Sequence, residues 1–143
     1  PARFAAEFPA SGPPLLANGP GSSVWAAVAI NGSQIVSLVV PELEARLAFR
    51  LSMPGQPACR EDATGLPLPP WALYVAAVGW AWAAEGYAVP GLDTVILTTG
   101  GVREGFVWET GLTFAAAWQD VSGWPLPEGG LLGLLIRVRG YFH

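Results

Sequence analysis

The sequence predicts an α+β fold in which a small mixed or antiparallel sheet is backed by two or three helices. Runs of strand-favouring residues occur between residues 24 and 52 and again at 94–99. Long apolar stretches that are typical of helices follow each group of strands, at 70–84 and at 106–121. A sheet backed by these helices accounts for both kinds of segment.

The chain of 143 residues is long enough to bury a substantial core, and we expect a single domain over 1–143. Its first 23 residues are rich in Pro, Gly, Ala and Ser, which indicates a loop-rich lead-in over 1–23. A short strand around Arg3-Phe4 is the one regular element expected there. The packed part of the domain is expected over 24–143.

A strong hairpin signal opens the packed part. Two strand-favouring runs, VWAAVAI at 24–30 and QIVSLVV at 34–40, flank the dipeptide Asn31-Gly32. Asn and Gly accept the positive φ angles that a tight type I′ turn requires. The sequence therefore predicts that these two strands pair directly.

The next run, ARLAFRLS at 45–52, alternates in the way a half-buried strand does. The alternation predicts that one side of the sheet is apolar and the other side faces water. The apolar positions are Leu47, Phe49 and Leu51, and the water-facing positions are Arg46, Ala48 and Arg50.

Two helices are predicted with clear ends. Pro69 and Pro70 suit the first turn of a helix that stops at Gly86. Its opposite face carries Ala and Gly rather than charges, so we expect it to be covered on more than one side. The second helix, at 106–121, ends before Gly123.

The tail from residue 129 onward is ambiguous. Its glycines disfavour a helix, because glycine loses much backbone freedom there. The segment that starts at Ile136, Ile-Arg-Val-Arg, alternates like a strand. Both interpretations stay open from the sequence.

The composition excludes several kinds of chemistry. All seven basic residues are arginine, and the lack of lysine excludes a P-loop lysine, a Schiff base and a lysine general base. A net charge of −4 argues against a nucleic-acid partner, which needs a basic surface. The single cysteine, Cys59, excludes an internal disulfide and a cysteine-based zinc site, and no metal site is expected. The only histidine is His143, so a Ser-His-Asp or Cys-His arrangement lacks a positioned base.

The chain is unusually apolar for its size. Charged residues make up 13% of it, against about 25% in typical domains, and hydrophobic residues make up 52%. Such a surface indicates a protein partner, a missing C-terminal half or self-association.

The apolar stretch at 69–84 is shorter than the roughly 20 residues that a membrane span needs, so we expect a buried helix and no membrane association. The first residues lack a signal-peptide pattern, and we expect a cytoplasmic location.

From about residue 69 onward the sequence resembles the N-terminal half of galactokinases, sugar kinases of the GHMP family. The best stretch, PPWALYVAAVGWAWAAEGYAVPGLDTVIL, joins a helix that opens with Trp and a Tyr-Val pair to G-x-x-x-x-G-x-D and a strand. Further on, SGWPLPEGGLLGLLIR is similar to the family's GLPL step and its next helix. The matching positions are Trp71, Tyr74, Val75, Trp80, Gly86, Gly91 and Asp93.

The resemblance implies the N-terminal domain fold of GHMP kinases, which is like domain 2 of ribosomal protein S5. It also implies ATP and Mg²⁺ as cofactors and phosphorylation of a sugar. The family's phosphate loop reads roughly P-L-G-A-G-L-S-S-S-A-A and surrounds the triphosphate with amides and hydroxyls at a helix N-terminus. The residues of this chain that the resemblance assigns to nucleotide binding are Gly100, Gly101, Arg103 and Gly105.

The chain departs from the family at this loop. Phe106, Val107 and Trp108 stand where the family has serines; Phe106 and Val107 offer a phosphate no hydrogen bond, and Trp108 would fill the space that a phosphate needs. Glu104 and Glu109 would repel it. The sequence therefore favours a strand-to-helix turn without a working phosphate site.

The sugar-binding end departs from the family as well. The family begins with P-G-R and continues with G-E-H-T-D-Y, whose acidic and imidazole groups hold sugar hydroxyls. This chain begins PAR, so the resemblance matches Arg3 to the catalytic arginine, and Glu7 is the polar residue left to contact a substrate. The family's catalytic aspartate lies beyond the equivalent of His143, so activity would need a second polypeptide or the missing C-terminal half.

Two function classes follow from these observations. One is the N-terminal half of a galactokinase-like sugar kinase, and the other is a structural or regulatory subunit that keeps the fold without nucleotide binding. The replaced phosphate loop favours the second class. Three carboxylate pairs are expected to be solvated or to cap turns rather than to act as acid and base. They are Glu42/Glu44, Glu61/Asp62 and Glu104/Glu109.

The sequence contains seven tryptophans, and most are expected in the core. Tryptophan also anchors protein interfaces, where it contributes a large share of the binding energy. The candidates for a partner-facing surface are Trp108, Trp118 and Trp124.

Overall fold

The computed structural model describes residues 2–53 and 55–142, so Pro1, Pro54 and the single histidine, His143, lie outside the described residues. The described chain forms five strands, four helices and one short 3-10 turn. In chain order these are α1 (Ala2–Glu7), β1 (Leu15–Asn18), β2 (Val24–Ile30), β3 (Ile35–Val40), the 3-10 turn (Pro41–Leu43), β4 (Ala45–Arg50), α2 (Pro70–Ala84), β5 (Leu92–Thr98), α3 (Phe106–Ser122) and α4 (Gly130–Tyr141).

The strands form one mixed sheet with the order β1-β2-β5-β3-β4. Neighbouring strands are antiparallel except β3 and β5, which run parallel and pair Val39 with Val95. Three helices, α2, α3 and α4, contact one another, and α3 packs on β1 and β2. The predicted α+β class, with a small mixed sheet backed by helices, is confirmed.

The predicted direct pairing of the 24–30 and 34–40 strands is wrong, because β5 lies between β2 and β3. The loop after β2 does reverse the chain, but it is wide enough for Gly91, the residue before β5, to bind between its two sides. Gly91 donates its N–H to Ser33 O at 3.0 Å, and its carbonyl accepts the N–H of Asn31 at 3.2 Å. The turn residues predicted the reversal correctly, whereas pairing with a strand far along the chain decided the neighbour.

The helix-covered face of the sheet carries the main core. The helix α2 starts at Pro70 and is buried on several sides, and α3 starts and ends within a residue of its predicted limits. Trp118 is fully buried and donates its Nε1–H to Pro90 O at 3.0 Å, so the prediction that Trp118 faces a partner is wrong. The largest fully buried side chains of this core include Trp82, Trp118, Phe49, Phe114 and Leu38.

The other face of the sheet carries α1. Phe4 packs against Ala27, Val39 and Val95 in the middle of the sheet. The expected strand around Arg3-Phe4 is wrong, because the segment is helical and places Phe4 and Phe8 on one side, with ring centroids 5.3 Å apart. Alanine-rich sequence with an i, i+4 pair of this kind favours a helix.

The tail is a helix, α4, over Gly130–Tyr141. Its glycines disfavour this structure locally, but packing against α2 and α3 outweighs them. The buried positions recur at helical spacing and are Leu131, Leu134, Leu135 and Val138. No helix of the described chain combines the length and the apolar character that crossing a membrane requires.

Candidate functional site

The glycine turn between β5 and α3 is the candidate site. Gly100, Gly101 and Gly105 have φ angles of 86°, 85° and 90°, in the left-handed region that glycine enters without a steric cost. Gly105 is the N-cap residue of α3 and makes no side-chain capping hydrogen bond. The predicted order of strand, glycine turn and helix is therefore present, and the N-terminal end of α3 faces the turn.

A carboxylate occupies the space beside the start of α3. Glu109 Oε1 accepts the Ser23 N–H at 2.6 Å and the Ser23 hydroxyl at 3.0 Å. Glu109 Oε2 lies 3.3 Å from the point where a Cβ on Gly105 would be. A negative charge near a helix N-terminus is stabilised by the helix dipole. Glu109 thus holds β2 against α3 and places its charge at the turn.

A second carboxylate flanks the turn on the side of the 3-10 segment. Glu42 Oε1 accepts the Thr98 N–H at 3.0 Å and also the Thr98 hydroxyl. Glu42 Oε2 lies 3.7 Å from the Cβ position of Gly101. Two carboxylates therefore approach the glycines that the resemblance assigns to a nucleotide.

The first turn of α3 presents hydrocarbon. Phe106 is buried and meets Trp71 edge-on, with ring centroids 6.4 Å apart. Val107 and Trp108 are half-buried. They line a depression of about 490 Å³ together with Tyr74, Gly105 and Arg139.

Arg103 is the one basic residue within the turn. It is exposed, and its Nη1 lies 3.6 Å from the Cβ position of Gly100. A single exposed guanidinium is the only positively charged side chain that the segment 98–109 offers to a phosphate.

The family resemblance implies ATP and Mg²⁺ at this turn. A triphosphate is held by amide, hydroxyl and cationic donors, and here the glycines and Arg103 are flanked by two carboxylates and an aromatic first helical turn. Within residues 2–53 and 55–142, no three His, Cys, Asp or Glu side chains are grouped closely enough to hold a metal ion.

The candidate catalytic and substrate residues, Arg3 and Glu7, lie together on α1. Arg3 Nε is 3.5 Å from Glu7 Oε2, and Arg46 on β4 donates to both Glu7 oxygens at 2.7 and 3.0 Å. The hydrogen bond from Arg46 is the main cause that lowers the pKa of Glu7 below its ordinary value of 4.5. The sequence did not pair Arg46 with Glu7, because the alternation of β4 indicated only that Arg46 faces water.

Asp93, one of the positions that match the family, makes hydrogen bonds that hold neighbouring segments of the chain together. Its carboxylate accepts the Asn31 side-chain N–H at 3.0 Å and the Ser11 hydroxyl. Asn31 in turn accepts the Ser33 N–H at 3.0 Å. Asp93 therefore ties the lead-in and the β2–β3 loop to the start of β5.

The other four carboxylates of the three candidate pairs are solvated or cap a turn. Asp62 accepts the Thr64 hydroxyl and N–H at 2.6 and 2.8 Å and the Leu66 N–H at 3.0 Å. The hydrogen bond from the Thr64 hydroxyl is the main cause that lowers the pKa of Asp62. Glu61, Glu44 and Glu104 are exposed.

Comparisons with known proteins give matches in structure. No protein-family model and no curated protein sequence matches the chain. A galactokinase of Lactococcus lactis in complex with galactose aligns with 96% of this chain and 40% of its own chain, at 14% identity and a TM-score of 0.69. A mevalonate kinase of Methanococcus jannaschii aligns with 84% of this chain and 37% of its own, at 11% identity and a TM-score of 0.60. A D-glycero-D-manno-heptose 1-phosphate kinase from Bacteriodes thetaiotaomicron aligns with 80% and 35%, at 11% identity and a TM-score of 0.55.

The chain spans about two fifths of the length of the kinases that it matches. Sequence identities of 11–14% show a shared fold and leave the chemistry of the site to be judged from the site itself. The resemblance to galactokinases that the sequence indicated is thus confirmed for the fold. The chain has the α+β fold of GHMP kinases, in a form consistent with their N-terminal domain.

Proposed function

We propose that this chain is a galactokinase-like GHMP domain that does not bind nucleotide and serves as a structural or regulatory interaction subunit. The observation that carries the proposal is the position of Glu109. Its carboxylate lies against Gly105 at the start of α3, where the family resemblance puts a nucleotide phosphate.

The sizes of the electrostatic interactions at the turn favour exclusion of a phosphate. A phosphate oxygen against Gly105 would meet the Glu109 carboxylate, whose Oε2 lies 3.3 Å from the Cβ position of Gly105. Two like charges about 4 Å apart repel by about 4 kcal/mol at an effective dielectric constant of 20. The attraction of a helix N-terminus for an anion is about 0.3–1 kcal/mol at an exposed site. The single exposed Arg103 adds a contribution of similar size, about 0–1 kcal/mol. The repulsion is the larger effect.

Glu109 also has a structural reason to stay where it is. It accepts two hydrogen bonds from Ser23, at 2.6 and 3.0 Å, so moving it away would leave the Ser23 N–H without this acceptor. The carboxylate is therefore part of the contact between β2 and α3 rather than a mobile surface group.

A second candidate function is the N-terminal half of a sugar kinase, because all three glycines of the turn keep the left-handed conformation. In that case Gly100, Gly101, Arg103 and Gly105 would contact the phosphates of ATP-Mg²⁺. Arg3 would contact the transferred group and Glu7 the sugar. This activity would need a C-terminal half or a partner chain to supply the catalytic aspartate of the family.

Isothermal titration calorimetry with ATP-Mg²⁺ separates the two candidates. The proposal expects no binding heat above the dilution control up to millimolar nucleotide. Micromolar binding that Gly105→Val abolishes would overturn the proposal and favour the second candidate, the N-terminal half of a sugar kinase. Gly12→Val is the matched control, since Gly12 has open space around it and no left-handed φ angle. Circular dichroism of both variants checks that the fold is retained.

A further inference from the structure

A continuous strip of aromatic rings and arginines crosses the helical side of the molecule. It joins the loop before α2, the first turns of α2 and α3, and the end of α4. We call it the aromatic–arginine strip. Its members are Arg60, Tyr74, Trp108, Arg139, Tyr141 and Phe142.

The contacts along the strip run from one arginine to the other. The Arg60 guanidinium carbon lies 5.5 Å from the ring centroid of Tyr141 and 5.8 Å from that of Phe142. Phe142 stacks on Tyr74, with ring centroids 5.3 Å apart and an interplanar angle of 20°. Tyr74 lines the 490 Å³ depression beside Trp108, and the Arg139 guanidinium carbon lies 5.5 Å from the Trp108 ring centroid.

The charges of the strip are unbalanced. In the described part of the chain, the ion pairs join Glu7 to Arg3 and Arg46, and Glu85 to Arg137. Arg60 and Arg139 are exposed and take part in none of these pairs. The α3 N-terminus at Gly105 also borders the depression, where the carboxylate of Glu109 offsets its partial positive charge. Two arginines that take part in none of these ion pairs thus lie on this surface of a protein whose net charge is −4.

The aromatic side chains of the strip are accessible as well. Tyr74, Trp108, Tyr141 and Phe142 are half-buried, so each presents part of its ring to solvent. Tyrosine, tryptophan and arginine are the residue types that contribute most to binding energy in protein interfaces. A ring held by a neighbouring ring also loses little side-chain freedom when a partner binds.

We propose that the aromatic–arginine strip binds an acidic segment of a partner protein. An apolar side chain of the segment enters the depression beside Trp108, and carboxylates before and after it pair with Arg60 and Arg139. Charge complementarity favours this occupant, because Arg139 borders the apolar depression and Arg60 lies further along the strip, over Tyr141 and Phe142. The inference rests on the proposed role as an interaction subunit and gives that role its binding surface.

The test uses a defined peptide on the full chain. A fluorescein-labelled peptide of alternating Glu and Leu is titrated with the protein and followed by fluorescence anisotropy. The same peptide with Gln in place of Glu is the control for charge. The indole N–H resonance of Trp108, assigned by its loss in Trp108→Phe, reports whether the peptide contacts the strip.

The proposal expects the Glu peptide to bind, to shift the Trp108 resonance and to weaken as salt is added. Arg60→Glu and Arg139→Glu are each expected to weaken binding by at least about tenfold, the size typical of an anchoring residue. Arg50→Glu is the matched control. It makes the same charge change at an exposed position on β4 that shares a face of the sheet with Arg46, the residue that contacts α1, and it should alter binding less than about twofold.

Three results would overturn the inference. The Glu peptide fails to shift the Trp108 resonance, the Gln peptide binds equally well, or Arg50→Glu weakens binding as much as Arg139→Glu. A Trp108 shift by free glutamate without one by the peptide would also contradict it, because the surface would then take a small anion. ATP-Mg²⁺ binding in calorimetry would remove the proposed function but not peptide binding, so the two proposals fail separately.

Discussion

The two ends of β5 both carry glycines at positions that the family resemblance singles out, and they differ in what surrounds them. At the start of the strand, Gly91 exchanges backbone hydrogen bonds with Asn31 and Ser33, and Asp93 accepts hydrogen bonds from Asn31 and Ser11. At its end, the glycine turn is flanked by the carboxylates of Glu42 and Glu109. The first end carries residues that hold the fold, and the second carries carboxylates beside the glycines that the family resemblance assigns to a phosphate.

This difference separates residues that hold the fold from residues whose role depends on what the turn binds. Gly91 and Asp93 hold the start of β5 beside the β2–β3 loop through hydrogen bonds within this chain. Hydroxyl groups at the start of α3 are needed only if an anion binds there, and Phe106 and Trp108 instead pack against neighbouring aromatic and arginine side chains. Substitutions at the two ends should therefore change different properties.

The largest effect is expected for Gly91→Ala. A Cβ at this position would lie 2.5 Å from Ile35 O and 2.6 Å from Ser33 O, both backbone atoms. Overpacking against backbone cannot be relieved by a rotamer change, so we expect the free energy of unfolding to fall by about 2–4 kcal/mol. Urea denaturation followed by circular dichroism measures the loss.

Gly12→Ala is the control for Gly91→Ala, because nothing lies within 4 Å of its Cβ position. We expect a change of less than about 0.5 kcal/mol for this surface substitution. Equal stabilities of the two variants would mean that Gly91 does not lie as close to the backbone oxygens of Ser33 and Ile35 as the structure shows.

A smaller effect is expected at the other end of β5 for Glu109→Gln. The substitution keeps the shape of the side chain but removes the charge that accepts two hydrogen bonds from Ser23 and faces the start of α3. Loss of charge-assisted hydrogen bonds and of the dipole interaction should lower the free energy of unfolding by about 1–2 kcal/mol. Glu104→Gln, at an exposed position nearby, should change it by less than about 0.5 kcal/mol.

Urea denaturation of the two glutamine variants at neutral pH gives this comparison directly. If Glu109→Gln were as stable as the unsubstituted chain, Glu109 would be a dispensable surface charge. Glu109 would then not be held in place at the start of α3, where it is proposed to repel a phosphate.

Local sequence predicted the ends of α2 and α3 well, because prolines and glycines mark helix ends through the backbone itself. It could not predict contacts that only the fold creates. Glu109 reaches Ser23 across 86 positions, and Arg46 reaches Glu7 across 39. The position of β5 between β2 and β3 is of the same kind, since the turn at Asn31-Gly32 suits a tight hairpin as well as an open loop.

The smallest effect concerns Glu7, whose helix α1 lies over the middle of β5, between the two ends. The hydrogen bond from Arg46 holds the folded-state pKa of Glu7 below the ordinary 4.5, so the folded state binds this proton less readily than the unfolded state. The pair therefore stabilises the fold above about pH 4.5, and this stabilisation is lost as the pH falls through the lowered folded-state pKa.

Arg46→Met should make the free energy of unfolding less dependent on pH between 5 and about 3, and Arg50→Met on the same strand should leave the dependence unchanged. Urea denaturation across this pH range measures both slopes, and identical slopes in the two variants would show that Arg46 does not set the protonation of Glu7.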